Sequence, residues 1–346
     1  MALRDYLLRR AATTALTFVL VMVTNFVIFR LMPGDPTLMY LQGVPPELRA
    51  EFEKVMRHQL GLDRPLHEQF LVYIYNCFTF QFGKSFLYMR PVVDIIAERL
   101  PTTLLLLLPA TAISIFVGMR LGAEAAWRRG SKLDVALLSL SLFFFSMPIY
   151  WLGMLMIYAF AGSGWFPPGG VISNEFWDSR FAEAGLHPQN FFEQLAAMFM
   201  LDPAGAIVDI VWHLVLPVAT LVLYTFGGYF LLMRNTMLDV LTQDYITTAR
   251  AIGHDDATVI HRHARRNAML PMITVIILAF AGVFSGAILT ETVFSWPGMG
   301  RAIYEAVQWR DYPMLESCFF IMALLVVLAN FIADVVYGLL DPRIRY

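Results

Sequence analysis

Residues 212–233 carry no Asp, Glu, Lys or Arg and read WHLVLPVATLVLYTFGGYFLLM. The next stretch, residues 234–271, is polar and reads RNTMLDVLTQDYITTARAIGHDDATVIHRHARRNAMLP. A helix of about 20 apolar residues spans the ~30 Å hydrocarbon core of a bilayer. The first stretch therefore predicts a transmembrane helix, and the second predicts a long connection in the water beside the membrane.

Similar apolar runs occur on both sides of this pair, at residues 11–31, 101–122, 134–160, 271–291 and 315–338. Across the chain 58% of the residues are hydrophobic and 15% are charged, whereas soluble domains carry about 25% charged residues. The sequence therefore predicts an all-α polytopic membrane protein with about six transmembrane helices. Pro109, Pro148 and Pro217 predict kinks in them, and Gly227 with Gly228 predicts close helix packing.

Basic residues concentrate in alternate connections, which predicts the orientation because cytoplasmic loops are rich in Lys and Arg. The connection 161–211 is long, and Arg180 is the one Lys or Arg that it contains. The basic clusters consist of Arg4, Arg9, Arg10, Arg128, Arg129, Lys132, Arg234, Arg250, Arg262, Arg265, Arg266, Arg343 and Arg345. We predict that both termini face the cytoplasm and that 161–211 lies outside.

The first apolar run exceeds the ~7–15 residues of a secretory signal peptide, so we expect it to be retained as a helix. The predicted organisation is a tail with the first helix at 1–31, an outer segment at 32–100, and a core at 101–346 that includes the outer loop 161–211 and the inner connection 234–270.

The inner connection reads as a helix, a glycine turn and a second helix. Partial helical periodicity comes from Ala249, Ile252, Val259 and Ile260. Gly253 interrupts the run, and Asp255 with Asp256 is typical of the first turn of the following helix. Two short helices braced on transmembrane helices would form a lever that a soluble motor can move.

Several motifs carry a resemblance to a known family. TARAIG (248–253) and RHARRNAMLP (262–271) are similar to the EAA loop of ABC importer permeases, most of all to the dipeptide/oligopeptide/nickel permease subunits. Thr247 and Thr248 replace the loop's Glu and first Ala, while Ala249 and Gly253 match it. Further similar motifs, in family order, are YLLRR (6–10), RLMPGDP (30–36), LGLDRP (60–65), FGKS (82–85), RLPTTLLL (99–106), ETVFSWPGMGR (291–301) and LLDPRIRY (339–346).

The resemblance implies a type I ABC importer permease in the plasma (cell inner) membrane. It also implies a second homologous permease subunit, two cytoplasmic ATPase subunits that carry ATP and Mg, and an extracytoplasmic solute-binding protein that delivers short peptides. No cofactor is expected on this chain. The residues implied to couple to the ATPases, in the loop 244–271, are Asp244, Thr247, Thr248, Ala249, Arg250, Gly253, His254, Asp255, Asp256, Arg262, Arg266, Asn267 and Pro271.

An outer gate or a binding-protein contact is expected at Glu291, Trp296, Pro297, Gly298, Gly300 and Arg301. Two alternatives stay open for these residues. Glu291, at the end of the predicted fifth span, could reach interfacial water, and Trp296 could anchor the chain at the membrane interface. Asp334, near the inner end of the sixth span, is expected to extend to the boundary.

Enzyme chemistry is not predicted. Gly83-Lys84-Ser85 resembles the end of a phosphate-binding loop, but Phe78 stands where that loop needs glycine. Gly162-Ser163-Gly164 resembles a membrane serine protease, but Ala161 replaces the preceding glycine.

Metal, disulfide and nucleic-acid roles are not predicted either. His261 and His263 are two residues apart and do not share a helix face. Cys77 and Cys318 are far apart in the predicted topology, and a net charge of −2 offers no basic surface for nucleic acid. The remaining alternatives are the same machine with oligosaccharide or nickel chelate as cargo, and an ion-coupled secondary transporter that works alone.

Overall fold

The computed structural model describes residues 3–31, 45–59 and 62–340, and within these the regular structure is helical apart from one isolated bridge between Lys84 and Pro91. Five helices are long and apolar enough to cross a membrane, or six if a bent pair counts as one span. The all-α, multi-span prediction is confirmed. Outside the described residues lie most of the RLMPGDP motif, two residues of LGLDRP, and the C-terminal tail with Arg343 and Arg345.

The α-helices in chain order are α1 (Leu3–Leu31), α2 (Arg49–Gln59), α3 (Leu66–Thr79), α4 (Val92–Trp127), α5 (Lys132–Ser146), α6 (Ile149–Met156), α7 (Asn174–Glu183), α8 (Phe191–Leu201), α9 (Pro203–Leu241), α10 (Asp244–Ala251), α11 (Asp256–Thr258), α12 (Arg265–Gly282), α13 (Ile288–Val293), α14 (Met299–Gln308) and α15 (Tyr312–Leu340). A π-helix at Ile157–Ala161 continues α6, and another at Val259–Ala264 joins α11 to α12. The chain forms two compact units, Met1–Pro101 with Gly298–Tyr346, and Thr102–Pro297.

In the first unit, α1 packs antiparallel against α15. The Tyr6 hydroxyl donates to the Asp334 carbonyl at 3.3 Å, and Asn25 donates to the Tyr73 hydroxyl at 2.9 Å and to the Glu316 carbonyl at 3.1 Å. The Asp334 carboxylate lies 3.4 Å from Arg10, so a basic partner on α1 balances its charge. Cys77 and Cys318 are both buried as free thiols.

In the second unit, glycines set the distance between α4 and α9. A Cβ at Gly118 would stand 2.7 Å from the Phe226 carbonyl oxygen, and one at Gly122 would stand 2.5 Å from that of Phe230. The four-residue spacing of these glycines places both on one face of α4, which lets the two backbones touch. Gly227 approaches α5, whereas Gly228 faces open space, so one member of the predicted glycine pair packs closely.

Two predicted spans differ from the observed helices. The span 134–160 is two helices that meet at a 102° bend around Pro148, because the proline starts a new helix there. The helix of the predicted span 271–291 already ends at Gly282, and a 3₁₀ turn precedes Gly286 with φ +75°. Glu291 therefore lies in the separate short helix α13 and does not end the fifth span.

The predicted fourth span and outer loop also have different limits. Helix α9 begins at Pro203, where Asp202 caps it by accepting from the Gly205 amide at 2.9 Å, and it continues to Leu241. The connection 161–211 consequently contains α7, α8 and the first turns of α9. The Asp209 carboxylate holds this region to α9 by accepting from Ser173 and from the Trp177 indole at 2.9 Å.

Candidate functional site

The predicted coupling loop has the predicted local form. Helix α10 ends at Ala251, Gly253 has φ +90° and donates to the Arg250 carbonyl at 3.0 Å, and α11 starts at Asp256. A residue without a side chain fits this left-handed position best. A hydrogen bond with Thr258 lowers the pKa of Asp255, the residue that precedes the first turn of α11.

Buried apolar side chains hold the loop against the ends of longer helices. Ile246 and Val259 are fully buried. They belong to a cluster with Ile115, Met119, Ala123 and Ala126 of α4, Met233 and Met237 of α9, Ala249 of α10, Ala264 of the π-helix, and Ala268 and Met272 of α12. Close-packed side chains transmit displacement to their neighbours. The cluster therefore connects the loop to α4, α9 and α12.

Polar contacts connect the same elements. Asn267 on α12 donates to the Tyr245 hydroxyl on α10 at 2.7 Å. The Arg250 guanidinium lies over the Trp127 ring at 5.9 Å and 3.9 Å from Asp256. These groups are largely exposed, so they orient the loop more than they stabilise the fold.

The predicted coupling residues form an exposed surface, with one exception. Those that are exposed are Asp244, Thr247, Thr248, Arg250, Gly253, His254, Asp255, Asp256, Arg262, Arg266, Asn267 and Pro271. Ala249 is only 5% exposed, so it is a packing residue of the cluster and not part of this surface. We call the exposed residues of 244–256, without Ala249, the loop surface.

Three exposed residues of the loop surface, Tyr245, Ala251 and Ile252, are absent from the predicted coupling residues. Helical periodicity relates Ile252 to Ala249 and Val259, but its side chain is 70% exposed while theirs are buried. The helix ends at Ala251, so the spacing that relates helical positions no longer applies at Ile252.

An ion pair with a buried carboxylate lies near this loop, and the sequence pattern does not reveal it. Arg234 on α9 donates to both carboxylate oxygens of Asp134, at 2.7 and 2.8 Å. Asp134 also accepts from the Gly130 amide at 3.0 Å, and its own amide is capped by Ser131. The pair fixes the turn before α5 onto α9. In the sequence, Ser131 three residues before an acid indicates the start of a helix here, but not the pairing with Arg234.

The outer candidates of the second unit are enclosed. Glu291 is fully buried and accepts from the Thr103 hydroxyl at 2.9 Å. Trp296 is also fully buried, and its indole donates to the Thr102 carbonyl at 2.8 Å, while the Thr102 hydroxyl donates to the Pro297 carbonyl. These bonds connect α13 and the residues after it to Thr102 and Thr103 of α4.

Two of the open alternatives for these residues are therefore wrong. Glu291 does not reach interfacial water, and Trp296 is not an interfacial anchor, because neither side chain is exposed. Gly298 and Gly300 are buried in the other unit, where Arg301 donates to Glu305 at 2.8 Å. The six outer candidates do not form an exposed patch, and an outer-gate role stays a prediction.

Comparison with known proteins covers the whole described length. Residues 99–346 match the family described as binding-protein-dependent transport system inner membrane component, and residues 3–107 match the N-terminal part of such membrane components. The chain is 37% identical over 345 residues to the di/tripeptide transport system permease protein DppB of Pseudomonas aeruginosa, covering 99% of both chains. It is 35% identical over 352 residues to the dipeptide transport system permease protein DppB of Escherichia coli K12, again over 99% of both. A putative peptide transport system permease protein of Brucella abortus is 34% identical over 342 residues, 98% of each chain.

Proposed function

The chain belongs to the family of binding-protein-dependent transport system inner membrane components, and from this membership we propose that it forms half of an import pathway for short peptides. It is the permease subunit of an ABC importer in the inner membrane and not an enzyme. Membership of this family excludes the alternative of a secondary transporter that works alone. The cargo and the coupling contacts are the parts that we propose.

Peptide as cargo is supported by the relatives. Three that cover at least 98% of this chain are described as di/tripeptide, dipeptide or putative peptide permeases. The match extends through both the N-terminal part and the core, so it is not limited to the loop that all such importers need. Oligosaccharide and nickel chelate remain the alternatives that a transport assay must separate from peptide.

We infer that the loop surface docks on an ATPase subunit, and one observation carries this proposal. The residues of the loop surface are exposed, and the buried residues of the same loop pack on α4, α9 and α12 at once. ATP and Mg would bind to two partner ATPase subunits, and nucleotide would shift the importer between states because it binds one of them better. A second permease would complete the pathway, and a solute-binding protein would deliver the peptide.

Purification of this chain from native membranes in mild detergent tests the assembly. We expect two ATPase subunits and a second permease to copurify, with ATP hydrolysis in the eluate. An intact chain that purifies alone and without ATPase activity would contradict the proposed partners.

Uptake by the reconstituted complex with its binding protein tests the cargo. We expect ATP-dependent accumulation of a labelled dipeptide that unlabelled di- and tripeptides suppress. Oligosaccharide and nickel chelate serve as competitors in matched reactions, and suppression by one of them but not by peptides would contradict the peptide assignment while leaving the importer intact.

A further inference from the structure

A cavity of about 410 Å³ lies within the unit formed by Met1–Pro101 and Gly298–Tyr346. Its wall is built from the end of α1, from α3, from residues 81–86 and from the first turns of α15. The volume is in the range of small-ligand sites. Neither the loop surface nor the Glu291 region contributes to it.

The lining of this cavity is cationic. Arg30, Arg64 and Lys84 line it, against one carboxylate, Glu316. None of the three cations forms an ion pair with a carboxylate in residues 3–31, 45–59 or 62–340. A polar cavity with an excess of positive charge favours an anionic occupant.

The strongest indication is an unsatisfied donor. The Nε of Arg30 is buried and has no hydrogen-bond partner among the described residues. The guanidinium lies over the Phe26 ring at 5.3 Å, which fixes its plane but leaves this N–H without an acceptor. A buried donor is costly unless an acceptor satisfies it, and guanidinium groups pair especially well with carboxylate and phosphate oxygens.

The position of the cavity narrows the choice of anion. Arg30 is the last residue of the apolar span of α1, and Tyr312 is the first residue of the span of α15. Because these helices are antiparallel, both residues mark the same boundary of the hydrocarbon core, where lipid headgroups lie. Phe29, Phe82 and Phe86 also line the cavity, so its chemistry is that of a cationic site with an apolar border.

We propose that this cavity binds the phosphate group of an anionic phospholipid headgroup, with Arg30, Arg64 and Lys84 as its cationic contacts. A single phosphate would supply acceptors for the unsatisfied Arg30 N–H and neutralise part of the excess charge. Bound there, the lipid would join α1, α3 and α15 at the membrane boundary.

Lipid retention by the whole detergent-purified complex tests this proposal. The complex is reconstituted in discs that contain phosphatidylcholine and phosphatidylglycerol, then re-extracted, and the lipids that remain bound are measured by mass spectrometry. We expect phosphatidylglycerol to be retained preferentially, and Arg30→Gln to lower that retention about tenfold, as loss of a charged hydrogen bond does. Lys84→Gln should lower it several-fold.

Controls keep the result decisive. Arg57→Gln removes a cation of α2 that pairs with Glu53 at 3.3 Å and does not line the cavity, so it should retain lipid as the wild type does. If Arg30→Gln fails to assemble, Lys84→Gln decides, because Lys84 is exposed and its replacement leaves the packing intact.

A soluble anion is separated from a lipid by a second measurement. Inorganic phosphate is added to delipidated complex in detergent, and the melting temperature is recorded. Stabilisation of the wild type but not of Lys84→Gln, without selective lipid retention, would support a phosphate site whose ligand is a soluble phosphate and not a lipid headgroup. Equal phosphatidylglycerol retention in wild type and variants, with no stabilisation by phosphate, would overturn the proposal.

Discussion

The loop surface and the segment from α13 to Pro297 were both predicted to contact other proteins, but the structure places their side chains in opposite environments. Thr247, Thr248 and His254 are exposed. Glu291 and Trp296 are 0% exposed, and within their own unit Glu291 accepts from Thr103 while Trp296 donates to Thr102. Polar groups that find partners inside the chain serve its structure. Polar groups that stay exposed on a well-packed support are available to another subunit.

The largest expected effect on transport concerns Gly253. Gly253→Glu should reduce peptide uptake about 100-fold, which corresponds to the loss of ~2.7 kcal/mol of docking free energy, while the chain stays in the membrane. The reason is a bulky charge in the middle of the loop surface. ATP-dependent uptake by the reconstituted complex measures this.

Its matched control is Gly185→Glu. Gly185 has φ +69° and, like Gly253, open space where a Cβ would lie, so both substitutions carry a similar backbone penalty. Gly185 belongs to the connection 161–211 and should tolerate the change. Equal uptake by the two variants would remove the contrast between the loop surface and the rest of the chain.

A large effect on stability is expected at Asp134. Asp134→Ala should lower the free energy of unfolding by about 3–5 kcal/mol, because the buried carboxylate makes two charge-assisted hydrogen bonds to the largely enclosed Arg234 guanidinium and both are lost. Thermal unfolding in detergent measures the loss. Asp256→Ala breaks the exposed contact to Arg250 at 3.9 Å and should change stability by less than about 1 kcal/mol. Similar losses of stability in both variants would show that burial does not decide how much each ion pair contributes to the free energy of unfolding.

A smaller stability effect is expected at Glu291. Glu291→Ala should cost about 2–3 kcal/mol, because the Thr103 hydroxyl and the Ala287 amide both lose a buried carboxylate that accepts from them. Glu175→Ala, at an exposed acid of the outer connection, should stay within about 0.5 kcal/mol in the same unfolding assay. Unchanged stability of the Glu291 variant together with weaker binding-protein affinity would contradict a structural role for the segment from α13 to Pro297.

The smallest stability effect is expected at Ile252. Ile252→Ser should stay within about 0.5 kcal/mol of the wild type, since the side chain is 70% exposed, but it should weaken copurification of the ATPases. Ile246→Ala, in the same helix–turn unit, should cost about 2–4 kcal/mol because Ile246 is fully buried. Normal ATPase association of Ile252→Ser would narrow the loop surface to its polar residues.

The spans could be predicted because length and apolar content depend on local sequence alone. The break near Pro148 was expected as a kink, but its 102° angle depends on how α5 and α6 pack. The early end of α12 could not be predicted, because the residues up to Leu289 remain largely apolar while Gly286 turns the backbone to φ +75°. An apolar run does not reveal whether it is one helix or two.

Candidate residues were predictable to different degrees. The helix–glycine–helix form of the loop follows from Gly253 and Asp255, which act through local backbone geometry. The burial of Ala249, the exposure of Ile252 and the Asp134–Arg234 pair depend on neighbours distant in the chain. Local patterns carry no information on such neighbours.

The sequence by itself determined that this protein lies in a lipid bilayer, where its spans are and which family its motifs resemble. Hydrophobicity, helix length and turn-forming residues act locally. The tertiary structure alone decided which polar groups are enclosed and which are offered to partners. Trp296 shows the reason: its residue type favours a membrane interface, but packing in the second unit and a hydrogen bond to Thr102 place it in the interior.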